Sequence, residues 1–89
     1  MYCLEYSSQF KKDFKKITKK PIPDILEVGN VISRLQRGEI LEAKYADHQL
    51  TGNWVGFRDC HITPDLVLIY RIFDNILQLA RIGSHSELF

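Results

Sequence analysis

The sequence predicts an α+β fold, with two N-terminal helices packed on a small, mainly antiparallel, curved sheet. Three observations carry this expectation. Apolar residues recur at helical spacing before Gly38, and gather in strand-like runs after Trp54. Pro21 and Pro23 punctuate the helical half, while Thr63-Pro64-Asp65-Leu66 and Asp74-Asn75 punctuate the strand half. A chain of 89 residues can bury one core but not two, so residues 1–89 are expected to form a single domain.

Residues 2–6 alternate weakly and suit a first strand that joins the sheet's edge. Ser7 or Ser8 can cap a helix over about 8–19, because a serine side chain accepts from the backbone N–H groups that a helix start leaves unpaired. Phe10, Phe14 and Ile17 share one face of that helix, and Lys11, Lys12, Lys15, Lys16, Lys19 and Lys20 project around the other. Pro21 and Pro23 are read as ending it. A second helix is expected over 24–37, with Ile25, Val28, Ile32 and Leu35 as its stripe, Leu26 and Val31 broadening it, and Gly38 as terminator. Residues 39–53 form the one long irregular stretch. Strands are expected over 54–62, 66–73 and 76–82. Proline suits the second position of the first turn, and Asp74-Asn75 suits a two-residue hairpin. The helices should cover one sheet face and leave the other open.

Charge narrows the function. The net charge is +1, which alone makes no case for nucleic acid. Its distribution is uneven: residues 1–44 carry nine Lys or Arg against six Asp or Glu, and residues 45–89 carry three against five. The lysine face is either a solvated surface or a contact for phosphates. Cys3 and Cys60 are too few for a disulfide framework, which suggests free thiols in a reducing compartment. The first residues lack a signal-peptide pattern, and no apolar run reaches the roughly 18 residues that a membrane span needs. A cytoplasmic location without a membrane partner is expected. No glycine-rich phosphate loop, HExxH or paired CxxC occurs, so nucleotide chemistry lacks support and no metal or cofactor is expected.

The three histidines are the sharpest chemical signal, since imidazole gives and takes protons near neutral pH. His48 lies in the irregular stretch beside Asp47. His61 ends a strand, where it and Asp59 point the same way, so an Asp59–His61 pair could fix an imidazole tautomer; a plain polar face is the alternative. Asp65 serves either its turn or catalysis. His85 sits in a tail that Leu88 and Phe89 could dock near the Thr63–Asp65 turn. Arg71 and Arg81 alternate with apolar positions, and would emerge on the open face, where a guanidinium can hold a phosphate. Trp54 and Phe57 suit either core packing or base stacking.

From Asp47 onward, DHQLTGNWVGFRDCHITPDLVLIYRI followed by LARIGSHSELF resembles the YafQ-like branch of the RelE/ParE toxin superfamily. The helical half matches more loosely, through its early strand and the QFKKD segment. The resemblance implies a toxin of a bacterial type II toxin–antitoxin pair that enters the ribosome and cuts messenger RNA without a metal. It implies catalytic His48, His61, His85 and Asp65, with Trp54 and Phe89 at the family's aromatic positions. His48 and His85 would share the base and acid roles, and Arg81 would stabilise charge, with Arg58 or Arg71 as the alternatives for that role. It further implies a small DinJ/RelB-like antitoxin, contact with operator DNA through that antitoxin, and ribosomal RNA contact by the lysine helix. A non-enzymatic, gyrase-directed ParE-like inhibitor, or a member kept only for antitoxin binding, is the alternative.

Overall fold

The computed structural model describes all residues, 1–89. The order is β1 (Cys3–Tyr6), α1 (Ser8–Ile17), α2 (Ile22–Gln36), β2 (His48–Gln49), β3 (Arg58–Thr63), β4 (Leu66–Phe73), β5 (Ile76–Gly83) and α3 (His85–Leu88), with single 3-10 turns at Ala43–Tyr45 and Gly52–Trp54. The five strands form one sheet in the order β1-β5-β4-β3-β2. All neighbours are antiparallel except β1, which joins β5 in parallel. The α+β architecture, with helices on a small curved sheet, is as expected, and β1 takes the edge.

Ser7 starts α1 by accepting from the Phe10 N–H at 2.9 Å. The second helix begins two residues earlier than expected, at Ile22. Pro23 thus lies inside its first turn, where a missing N–H costs nothing because that group has no helical partner. Gly38 ends it with φ +79°, a left-handed conformation that glycine adopts without strain. Leu26 does not broaden the buried stripe but stands in solvent, whereas Val31 is fully buried. The turn at Asp74 and Asn75 has positive φ at both residues, as a tight hairpin requires.

Two apolar clusters sandwich the sheet. The larger joins Phe10, Ile17, Val28, Val31 and Leu35 of the helices to Cys60, Leu68, Tyr70, Leu77 and Leu79. The opposite face is not bare. Val67, Ile69, Ala80 and Leu88 form a second cluster there, flanked by Leu50, Trp54 and Phe57. The tail supplies Leu88 because Ser84 and Glu87 form a reciprocal cap that folds residues 85–88 into a helical turn.

One edge is incomplete as a sheet. The β1 ladder stops at Tyr6, opposite Leu79, and α1 takes over the rest of the β5 edge. Ser7 donates its N–H to the Leu79 carbonyl and its hydroxyl to the Ala80 carbonyl. Asp13 accepts the Ile82 N–H at 3.2 Å. A side chain from a helix thereby does what a missing strand would do. No helix is long and apolar enough to cross a membrane.

Candidate active site

Four local devices deliver the histidines. Tyr45 is buried and donates its hydroxyl to Glu27 on α2, which pins the irregular stretch. Ala46 then turns the chain with φ +49°. Asp47 is gripped by Arg58 and by the Tyr70 hydroxyl, so β2 lands with His48 directly opposite Asp59. The fourth device is the capped α3, which presents His85 and Phe89 one helical turn apart.

His61 and His85 have ring centroids 6.5 Å apart with planes inclined by 29°. Phe89 lies 4.8 Å beyond His85, making a short row of rings along the rim of the second cluster. His48 approaches from the other side. Its Nδ1 is 2.7 Å from the Ala46 carbonyl and 3.0 Å from Asp59 Oδ1. A carbonyl only accepts, so Nδ1 carries the proton and Nε2 of the neutral ring is the free acceptor.

Asp59 is the centre of this arrangement. It is 2% exposed, and its Oδ1 has no hydrogen-bonding partner despite the nearby imidazole. The Nδ1–H points at Ala46, so the 3.0 Å approach is a close polar contact rather than a directed bond, and becomes an ion pair only when the ring takes a second proton. Burial pushes the Asp59 carboxyl above the ordinary range, while His48, His61 and His85 pull it back. The sequence-based pairing of Asp59 with His61 holds in part: both side chains serve this face, but the closest imidazole is His48, brought in by a two-residue strand too short to read from the sequence.

The other expected residues are distributed differently. Asp65 is exposed at its turn, where it accepts from Thr63 Oγ1 at 2.9 Å and faces Lys20 Nζ at 3.6 Å, not an imidazole. The Thr63 hydroxyl and then the Lys20 ammonium hold its carboxyl below the usual range. Arg81 donates through two nitrogens to Asp13, at 2.8 and 3.1 Å, instead of standing free on the open face. A register shift beside Tyr70 leaves Ala80 as the extra residue of β5, and a bulge of this kind re-aims the side chains next to it. Arg58 is held by Asp47. Arg71 bonds Gln78 and lies over the rings of Phe57 and Phe73, at 4.8 and 4.3 Å. Trp54 packs edge-on against Phe57 beside the second cluster. Of the six lysines, five are exposed and Lys20 is half-buried.

A concavity of about 570 Å³ opens beside His61 and is lined by Glu27, Lys44, Tyr45, Ala46 and Thr63. An apolar groove of about 480 Å³ between α1 and α2 carries no imidazole or carboxylate. No group of three or more His, Cys, Asp or Glu side chains is arranged to hold a metal ion. Burial pushes the Cys60 thiol far up, which makes it a packing group and not a nucleophile.

Comparison with known proteins gives a consistent picture. The family model described as the bacterial toxin of type II toxin–antitoxin systems, YafQ, matches residues 2–89. The mRNA interferase toxin YafQ of Escherichia coli K12 is 39% identical over 87 residues, covering 97% of this chain and 94% of that protein. A metal-bound toxin from Helicobacter pylori superposes with a TM-score of 0.90 at 43% identity, over the full length of both chains. YafQ in the E. coli DinJ–YafQ complex gives 0.88 at 38% identity, covering 100% of this chain and 99% of that one.

Proposed function

The chain belongs to the YafQ family of bacterial type II toxins, and from that premise we propose that it is a ribosome-dependent endoribonuclease that cuts messenger RNA by attack of the 2′-hydroxyl. The observation that carries this reading is the gathering of His48, His61 and His85 around one buried carboxylate, with Phe89 at the end of the row. A surface used only to bind another protein needs no such set of proton-transfer groups.

His48 is the base. Its Nδ1–H is committed to Ala46, so Nε2 takes the proton from the 2′-hydroxyl as that oxygen attacks the adjacent phosphorus. His85 protonates the departing 5′-oxygen, and the products are a 2′,3′-cyclic phosphate and a 5′-hydroxyl end. His61, facing His85, contacts the phosphate between them. Phe89 and Trp54 offer ring faces to unstacked bases. Arg71, whose guanidinium already lies over aromatic rings, suits a neighbouring phosphate of the same strand. Asp65 orients the rim through Thr63 and Lys20.

The proposed steps use only proton transfer between these side chains and the RNA, and call on no metal. The lysine face of α1 contacts ribosomal RNA. A small DinJ-like antitoxin neutralises the toxin, and the pair together represses its operon. The test maps messenger RNA ends in a translating extract, with and without ribosomes. His85→Ala should lower cleavage by about 10²-fold or more. Cleavage by folded His85→Ala at the wild-type rate would remove His85 from the mechanism, and undiminished cleavage without ribosomes would overturn the ribosome dependence.

A further inference from the structure

We propose that Asp59 is a positioning residue of this site: its buried carboxylate, 3.0 Å from Nδ1 of His48, joins the Ala46 carbonyl in keeping the proton on that nitrogen and so leaves Nε2 to accept the substrate's proton. This inference rests on the nuclease reading above and gives a role to the carboxylate that the reading sets among the imidazoles but uses in no step.

The placement is built into the sheet. Asp59 lies directly opposite His48 across the β2–β3 ladder, and His61 follows two residues along the same strand, on the same side. The third imidazole, His85, comes from α3, whose Leu88 packs into the cluster beside them. The groups around Asp59 are few. From β2 and its approach come His48 and Asp47, the latter already held by Arg58 and Tyr70; from β3 comes His61; from α3 comes His85. The packed neighbours from β4 and β5 are Val67, Ile69 and Ala80, all apolar.

Such a carboxylate has no structural purpose that its contacts reveal. Oδ1 is buried and takes no directed hydrogen bond, a state that folded proteins rarely leave unanswered. It sits 3.0 Å from an imidazole nitrogen that donates elsewhere. When His48 takes up a proton at Nε2, the ring becomes a cation 3.0 Å from a buried anion, closer to it than any other ionisable group. The same carboxylate also disfavours the ring flip that would turn Nδ1 away from Ala46. Base, carboxylate and backbone acceptor thus form one unit, in which Ala46 takes the Nδ1–H and the carboxylate adds a negative charge beside it.

The test uses the full chain and Asp59→Asn, which keeps the shape and removes the charge. In the wild type, nitrogen-15 spectra of the imidazole should show neutral His48 protonated at Nδ1; in Asp59→Asn the two tautomers should mix. On ribosome-bound messenger RNA, kcat should fall about 10- to 10²-fold while KM stays within about threefold. In a His48→Ala background, the same change should cost less than about threefold further, because Asp59 acts through His48. Wild-type His48 protonated at Nε2 would overturn the proposal even if the variant fails to fold. So would an unchanged kcat in folded Asp59→Asn, or full additivity with His48→Ala. If the wild type cuts no RNA but its His48 tautomer still depends on Asp59, the nuclease reading fails and the positioning role stands.

Discussion

Asp13 and Asp59 are the two buried charged side chains of this protein, 4% and 2% exposed, and they are treated in opposite ways. Asp13 lies under α1 at the unfinished edge of β5, where Arg81, Gln9 and the Ile82 N–H all donate to it. Burial pushes its carboxyl up, but those donors outweigh burial and leave it below the usual range. Asp59 lies inside the sheet, on β3 opposite His48, with an unbonded oxygen, and burial keeps its carboxyl above the usual range. The difference shows that burial does not by itself identify a functional carboxylate. A structural one is saturated by donors, while one poised for chemistry is left partly unanswered.

The largest expected effect breaks the saturated side. Arg81→Ala leaves Asp13 buried without its main partner, and should cost about 3–5 kcal/mol in urea unfolding. A loss below about 1 kcal/mol would mean that Gln9 and Ile82 hold Asp13 without help. The same variant also tests the expectation that Arg81 stabilises charge during RNA cleavage. If its remaining activity merely tracks the folded fraction, Arg81 belongs to the α1–β5 seam alone.

The next effect is smaller and has opposite signs at the two sites. Asp13 has a depressed folded pKa, so its contribution is present above the unfolded value of about 3.8 and is lost as pH falls through the folded one. Asp59 has a raised folded pKa, so its contribution is full below the unfolded value and is lost as pH rises through the folded one. Asp13→Asn should therefore lower stability at pH 7, with the deficit shrinking as pH falls below about 4. Asp59→Asn should leave stability at pH 7 equal or higher. Denaturant melts across pH 3–7 measure both, and a matching loss in the two variants would erase the distinction drawn between them.

Much of this was legible in the sequence. The helical stripe, the strand runs and the Asp74-Asn75 hairpin follow from local spacing, which is why both helices and the last two strands lie close to where they were expected, whereas the strand expected over 54–62 begins only at Arg58, after the 3-10 turn at Gly52–Trp54. The motif from Asp47 to Phe89 likewise named the three histidines. Contacts between distant segments were not legible. Asp13 falls on the same helical stripe as Phe10, Phe14 and Ile17, and a charge there signals a buried partner, but nothing local says that the partner is Arg81. Ser84 and Glu87 spell a capping box that predicts α3, a signal that the tail's position at the chain end obscured. The two-residue strand at His48 carries no periodicity, and its register comes from the grip of Arg58 and Tyr70 on Asp47.

The smallest effect concerns the third carboxylate, Asp65, which neither burial nor saturation describes. It stands in solvent, where charge contacts are screened and two partners can only tune it. Thr63 is the stronger influence and Lys20 the second. Thr63→Val should therefore move the Asp65 titration upward, Lys20→Ala should move it by less, and carbon-13 detection of the carboxyl measures both. Neither change should alter the thermal midpoint appreciably, since no buried group loses a partner. If Asp65 only orients the rim, Asp65→Asn should slow RNA cleavage by less than about tenfold. A loss as deep as the roughly 10²-fold expected for His85→Ala would instead place Asp65 among the proton-transferring groups, and would show that an exposed carboxylate here does what burial was inferred to reserve for the histidine hollow.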